Sequence, residues 1–320
     1  MKTLLVGAGA VGQVFGFHLQ RGGAQVGFLV KEKYAEAARA GYDLYPLNRR
    51  RPRQAPVRFQ GFSVVTHASG AAAERPDVLM LCVSSTQLRG PWLDELLPEL
   101  GDATVVTLQP GMNDRAYLLE RVPESRLVCG MIGFISYAAP LPGETVPTPG
   151  IAYWLPPLSP CPFSGPTERV RPLVDTLNRG GLSARIVDDV PGMSIFPSAL
   201  LMCVISGLAG AGWSLRALHE RAHADLTLAA AHEALAVISR RTGRNAPLPL
   251  RVALSPLLFR TALGIAPGVT PLDLETYLRV HFTKVADQTQ LMMRDYVAEA
   301  HRLGIPAPNL EKLASGSRSG

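Results

Sequence analysis

Cysteine is scarce and scattered: Cys82, Cys129, Cys161 and Cys203 stand far apart, mostly in apolar strings. They show no metal-ligand spacing and no pairing pattern. We therefore expect buried thiols in a reducing cytoplasm and no metal site. Charge is scarce too, at 18% of residues against 47% hydrophobic, and no long low-complexity run precedes the C-terminal tail. That composition excludes disorder, and no internal repeat of fixed period suggests a solenoid. The net charge of +6 has one local concentration, Arg49, Arg50, Arg51 and Arg53. It lacks interleaved aromatics and a recognition-helix pattern, so a solvated loop is expected there rather than a nucleic-acid surface.

Two apolar segments invite a membrane reading. Met1 to Leu19 has the lysine and apolar run of a signal peptide, but its glycine spacing has a better explanation below. Val190 to Leu215 carries no charged residue and is long enough to span a bilayer, yet prolines, serines and four glycines dilute it. A buried helix is expected, with no membrane partner.

At 320 residues two domains are expected, with a cleft between them. Lys2 to Val6, the helical spacing of Val11, Val14, Phe15 and Leu19, and the run Gln25 to Val30 form a βαβ unit, which implies a parallel sheet. Val78 to Val83 and Thr104 to Leu108 read as further strands, with Trp92 to Leu100 as a helix. Leu127 to Ile135 and Ile151 to Leu155 are expected to extend the same sheet. After Asp188 and Asp189 the pattern changes to long helices, Ser194 to Ala211, Leu215 to Arg241 and Leu272 to Leu303. The fold expected is α/β, a Rossmann domain over residues 1–187 followed by an all-α domain over 188–312 and a disordered tail over 313–320.

Gly7-Ala8-Gly9-Ala10-Val11-Gly12 matches the dinucleotide fingerprint, directly after a strand and opening an amphipathic helix. Gly7 permits the turn, Gly9 lets the backbone approach a pyrophosphate, Gly12 allows close packing, and the helix N-terminus faces the anion. Where NAD-specific folds place an acid, this chain reads Val30-Lys31-Glu32-Lys33. A cation there favours the 2′-phosphate of NADP; Glu32 keeps NAD open, and an ordinary surface lysine is the competing reading.

With these features and the ending Arg302-Leu303-Gly304-Ile305-Pro306, the chain resembles the ketopantoate reductase family over nearly its whole length. Val78 to Val83 followed by Gln87, the turn Gln109-Pro110-Gly111-Met112-Asn113, Phe196 to Ile205 and Glu233 to Gly243 carry the resemblance. It implies hydride transfer from NADPH to a small carbonyl substrate. It also implies a lysine, a glutamate and asparagines at the site, and here the chain departs. The lysine position holds Ser198, two asparagine positions hold Met202 and Ser206, and the glutamate position holds Gln288. Pro110 replaces the turn asparagine near the nicotinamide, and Ser84 replaces a lysine after the central strand. These changes remove the fixed charge that would orient a keto acid and stabilise an alkoxide, so ketopantoate itself is not the expected substrate.

Ser198 and Gln288 still donate hydrogen bonds but are not useful acids. His281 and Lys284, seven and four residues before Gln288, share a helical face with it and are candidates for a relocated acid or a substrate contact. A solvated lysine and a satisfied histidine are the alternative. Tyr137 is a further candidate donor, with a structural role as its alternative. The expected activity is NADP-dependent reduction of a carbonyl or imine other than ketopantoate; the competing expectation is a dinucleotide-binding protein with lost or non-redox chemistry. A homodimer through Ser194 to Ala211 and the terminal helices is expected as well.

Overall fold

The computed structural model describes residues 1–48, 53 and 55–316. Two compact units emerge, one of Met1–Gln109 with Asp114–Pro191, the other of Pro110–Asn113 with Gly192–Gly320.

Among the described residues the first unit holds twelve strands: β1 (Lys2–Val6), β2 (Gln25–Leu29), β3 (Tyr42–Pro46), β4 (Val57–Phe59), β5 (Ser63–Val65), β6 (Val78–Leu81), β7 (Thr104–Thr107), β8 (Leu127–Gly130), β9 (Ile135–Ala139), β10 (Gly150–Trp154), β11 (Cys161–Ser164) and β12 (Ala184–Ile186). Eight form one sheet in the order β12-β11-β8-β7-β6-β1-β2-β5, parallel except where β11 meets β8. Strands β6 and β7 are buried at every residue because helices cover both faces. The helices are α1 (Ala10–Arg21), α2 (Ala35–Arg39), α3 (Ala68–Ala73), α4 (Ser85–Leu88), α5 (Trp92–Leu96), α6 (Asp114–Leu119) and α7 (Thr167–Arg179).

Chain order reverses beside β1, which has β2 on one side and β6 on the other. In an open parallel sheet such a reversal opens a crevice at the carboxyl ends of the strands. The loop after β1 and the loop after β6 therefore leave the sheet side by side.

The remaining strands form a separate sheet, β4-β3-β10-β9. Its residues Leu44, Phe59, Ile151 and Tyr153 share a core with Phe15 and Phe17 of α1 and Phe28 of β2. This corrects the expectation of one strand over Leu127 to Ile135 and of Ile151 to Leu155 in the main sheet. The chain leaves the main sheet at Gly130, and β11 takes the place beside β8, pairing Phe163 with Gly130. An unbroken apolar run carries no mark of where one sheet ends and another begins.

The second unit is helical: α8 (Val190–Gly210), which begins at the boundary, then α9 (Leu215–His219), α10 (Arg221–Thr242), α11 (Leu248–Ala253), α12 (Pro256–Val269), α13 (Leu274–Lys284), α14 (Ala286–Arg302) and α15 (Pro308–Gly316). Helix α8 is long and apolar enough to cross a membrane by length and composition alone, with mean hydropathy 1.8. Phe196, Ala199, Met202, Cys203 and Leu208 on it are buried in the helical core.

Three sequence expectations are corrected in this unit. The run Leu215 to Arg241 breaks at Glu220, whose ψ of 144° is extended, and Leu272 to Leu303 breaks at Val285, with φ −112° and ψ 27°. The disordered tail expected from 313 fails for residues 313–316, which belong to α15. Glu233 anchors that helix by accepting hydrogen bonds from the Asn309 and Leu310 backbone N–H groups at 3.3 and 2.7 Å, and Leu310 and Leu313 are buried. Residues 317–320 lie outside the described residues.

Candidate functional site

The turn after β1 is built by backbone sterics. Gly7 has φ +94°, a conformation side chains rarely adopt, and a Cβ there would approach the Cys82 carbonyl oxygen at 3.1 Å. A Cβ on Gly12 would collide with the Gly7 carbonyl oxygen and approach the Cys82 Cβ at 3.3 Å. Gly12 thus closes the loop on itself and against the end of β6. Gly9 differs: a Cβ there would meet nothing within 4 Å. Packing does not require glycine at that position, so the open space beside the backbone is the feature to explain.

Gly9 also caps α1 with no side-chain hydrogen bond, and the first helical bond runs from Gln13 N–H to Gly9 oxygen at 2.9 Å. The N–H groups of Ala10, Val11 and Gly12 therefore have no partner within the helix. Those donors, the helix dipole and the gap beside Gly9 make a cradle for an anion. Gln13 locks its rim, donating from Nε2 to the Ala8 carbonyl at 2.8 Å.

Neighbouring loops are fixed by polar clamps that no sequence motif marks. The Gln109 side chain donates to the carbonyls of Leu81 and Val83 at 3.0 and 2.7 Å, and accepts from the Thr107 hydroxyl at 2.6 Å. It ties the ends of β6 and β7 together beneath the glycine loop. Asp114, buried, accepts from the buried Ser85 hydroxyl at 2.7 Å and pairs with Arg89 at 2.7 Å, joining α4 to α6. Only the sheet order brings these residues together, so local patterns could not reveal them.

Ser84 follows β6 at this edge, but its hydroxyl serves as the N-cap of α4, accepting from Gln87 N–H at 3.2 Å and contacting Thr86 Oγ1 at 2.9 Å. Lys31 follows β2, and the register of Val6 opposite Leu29 brings it to the edge from which the glycine loop leaves. It is exposed and makes no ion pair among the described residues. Glu32 and Lys33 beside it begin a 3-10 turn, with Lys33 over the Tyr34 ring.

In the second unit, Ser198, Met202 and Ser206 line one face of α8 at four-residue spacing. Ser198 is half-buried, while Met202 and Ser206 are buried. The Ser206 hydroxyl has no hydrogen-bond partner among the described residues. Pro110 belongs to this unit through its turn: Arg241 donates to the Asn113 side chain at 3.0 Å and pairs at 3.6 Å with buried Glu299. The Arg302 hydrogen bonds to Glu299, with the Arg241 and Arg302 charges, hold that carboxyl below its ordinary range.

The expected face of His281, Lys284 and Gln288 is not formed, because the break at Val285 puts the first two in the last turn of α13 and Gln288 in the first turn of α14. Burial, assisted by the Lys284 charge, pushes His281 down to about 4, so it is neutral near pH 7 and no acid there. Its ring packs beside Tyr277 and Phe282. Lys284 is exposed and Gln288 half-buried.

Tyr137 is corrected as a free donor. It is buried on β9, donates to Glu144 at 2.8 Å and accepts from Arg53 at 3.2 Å. Burial raises it to about 12. Arg53, one member of the arginine cluster, also pairs with Glu144 at 2.8 Å; Arg49, Arg50 and Arg51 lie outside the described residues.

Comparison with known proteins adds to this geometry. Residues 3–149 match the family model described as ketopantoate reductase PanE/ApbA. No curated protein matches the chain. Among solved structures, a PanE/ApbA family ketopantoate reductase from Ralstonia eutropha JMP134 is 20% identical with TM-score 0.73, covering 99% of this chain and 97% of that one. A 2-dehydropantoate 2-reductase from Geobacter metallireducens GS-15 is 17% identical, TM-score 0.71, with 99% of both chains covered. D-mandelate dehydrogenase, in a ternary structure with NADH and anilino(oxo)acetate, is 15% identical, TM-score 0.71, with 100% and 97% covered. Likenesses at these identities establish a fold alone: residues 3–149 are similar to the ketopantoate reductase PanE/ApbA family model, and the chain shares the fold of these solved structures.

Proposed function

We propose that the protein is an NADP-dependent oxidoreductase that reduces a small carbonyl or imine other than ketopantoate. The observation that carries this reading is the glycine cradle. Gly7 and Gly12 are demanded by packing, whereas Gly9 is not and borders open space against unpaired helix N–H groups. These residues fit a dinucleotide pyrophosphate. The N–H groups of Ala10, Val11 and Gly12 would hold it, and Lys31 would pair with the 2′-phosphate. When bound, the nicotinamide supplies the hydride.

The chain's own part is orientation. Ser198 and Gln288 hydrogen-bond the substrate oxygen or nitrogen, with Met202, Ser206 and His281 supplying a neutral surround, and Lys284 remains the candidate proton donor. A neutral pocket suits an iminium, since hydride addition gives an amine and needs no alkoxide stabiliser. Ser84 and Pro110 leave the nicotinamide end without the cation and amide expected there. Four free cysteines agree with work in a reducing cytoplasm.

Calorimetric titration with NADPH and NADH, followed by nicotinamide absorbance across a panel of ketones, imines and 2-keto acids, tests the proposal. Tight NADPH binding with consumption on at least one neutral substrate is expected; no binding would refute it. A second reading, dinucleotide binding without redox turnover, draws on the removal of Tyr137 and His281 as acids. Binding with no consumption on any substrate would favour it.

A further inference from the structure

The amino ends of β1, β6 and β7 stand side by side, at the edge of the main sheet opposite the glycine loop. A cleft of about 670 Å³ opens there, bordered by the turns that lead into β6 and β7 and by α7. That volume falls within the range of small-molecule sites. The five residues of β1, at about 3.3 Å each, set the cleft roughly 15 Å from the glycine loop, so the two do not overlap.

Part of the lining is apolar, from the buried residues Pro76, Val78 and Leu100. The charges around them fall into two sets. Arg169 closes on Asp102 at 2.8 and 2.7 Å, and Asp77 accepts the Lys2 backbone N–H at 2.7 Å. Arg75, Glu99 and Glu168 also line the cleft, yet none has an ion pair or a side-chain hydrogen bond among the described residues. They come from three elements: the residue after the C-cap of α3, the 3-10 turn after α5 and the first turn of α7. Opposite charges thus border one space without closing on each other. Arg75 has φ +46°, in the left-handed region where a helix end ordinarily takes glycine. An arginine there carries backbone strain, and no side-chain contact of its own offsets it. On α7, Pro172 lacks the N–H that would bond the Glu168 carbonyl one turn earlier. That carbonyl loses its helical donor on the very residue whose carboxylate borders the cleft.

We propose that this cleft binds a small zwitterion with an aliphatic body, the chemistry of an aliphatic amino acid. Arg75 takes the carboxylate, which suits the fork of a guanidinium. Glu99 and Glu168 take the ammonium, whose three donors also suit the Glu168 carbonyl. The aliphatic body lies against Pro76, Val78 and Leu100. A ligand of one charge sign would leave the other set of charges unmet, which disfavours it.

Saturation-transfer NMR on the full chain with L-leucine tests this, against N-acetyl-L-leucine, which lacks the ammonium, and L-leucinamide, which lacks the carboxylate. L-leucine should bind with a dissociation constant of about 1 mM or below, and each one-ended analogue at least ~10-fold more weakly. Arg75→Gly should weaken L-leucine binding at least ~10-fold without lowering the melting temperature, because glycine accepts that φ without strain. Glu168→Gln, at an exposed position, should weaken it by a similar factor. NADPH affinity should be the same in both variants as in wild type, so the outcome does not depend on the oxidoreductase reading. Absence of L-leucine binding would overturn the proposal. So would equal binding of the analogues, which would leave an apolar hollow ringed by solvated charges, or an affinity that Arg75→Gly does not change. A loss of NADPH binding in step with that of L-leucine would overturn it in favour of binding at the glycine loop.

Discussion

The carboxyl edge of the parallel sheet and the α8 face were shaped under different constraints. At the sheet edge, backbone collisions dictate Gly7 and Gly12, and side-chain amides tie the loops. A function held in backbone geometry leaves a trace in packing even when no ligand is seen. On α8 the positions at issue are Ser198, Met202 and Ser206, side chains on a regular helix whose backbone constrains none of them. There chemistry can change without altering the fold.

The largest test of that contrast sets the three glycines against one another. Gly12→Val should abolish NADPH binding and destabilise the protein by several kcal/mol, because its side chain meets backbone. Gly9→Val should leave the melting temperature within about 2 °C of wild type and still weaken NADPH binding at least ~10-fold. Calorimetric titration paired with thermal melts separates the two. Equal loss of stability in both variants would mean that the loop is merely a tight turn.

The difference explains what the sequence could disclose. The glycine loop, β1, α1 and β2 were legible because their signals are local: spacing, a strand before and a helix after. The main sheet's end was not, because Cys161–Ser164 takes the place beside β8 that was expected for Ile151 to Leu155. Gln109 reads as part of a turn, yet its three-way clamp depends on β6 and β7 being neighbours. The shared face of His281, Lys284 and Gln288 required an unbroken helix, and nothing in the periodicity marks the break at Val285. Tyr137 meets Glu144 across the turn after β9 and Arg53 from 84 positions away, a pairing no local pattern marks.

Gln109→Ala sharpens the comparison at smaller scale. Removing the clamp leaves the Leu81 and Val83 carbonyls without their partner, a cost of about 1–3 kcal/mol. The melting temperature should fall by several degrees, with NADPH affinity falling alongside as the β6 end loosens under Gly7. Tyr137→Phe is the counter-test: chemical denaturation should show a loss of about 1 kcal/mol, with kcat on any accepted substrate unchanged. A drop in kcat beyond tenfold would restore Tyr137 as a donor.

Lys31→Ala asks only about the cofactor. The ratio of NADPH to NADH affinity should fall roughly tenfold, about 1.4 kcal/mol, with stability unaltered because the side chain is exposed. An unchanged ratio would make Lys31 a surface lysine.

The last effect concerns pH, through one histidine in each unit. His18 on α1 is buried; its Nδ1 lies 2.9 Å from the Gly180 carbonyl, and its Nε2 has no partner among the described residues. Burial lowers its pKa below 6.5, opposed by the Gly180 bond and aided by Arg21, as burial lowers His281 to about 4. Both histidines fold neutral, so above 6.5 neither makes stability depend on pH. As pH falls through 6.5 the unfolded chain takes up their protons before the folded chain does, and until the lowered folded value is passed stability drops by at most ~1.4 kcal/mol per pH unit for each. The carboxyls held low, Asp43, Glu74, Asp273 and Glu299, have ordinary values of 3.8 to 4.5 and act below that window. Urea midpoints at pH 7.5 and 5.0 should therefore differ less for His18→Gln than for wild type, with the residual slope assigned to His281 by the double variant His18→Gln/His281→Gln. If the single variant keeps the full slope, His18 is protonated in the folded protein and its unpaired nitrogen has a partner that burial alone does not explain.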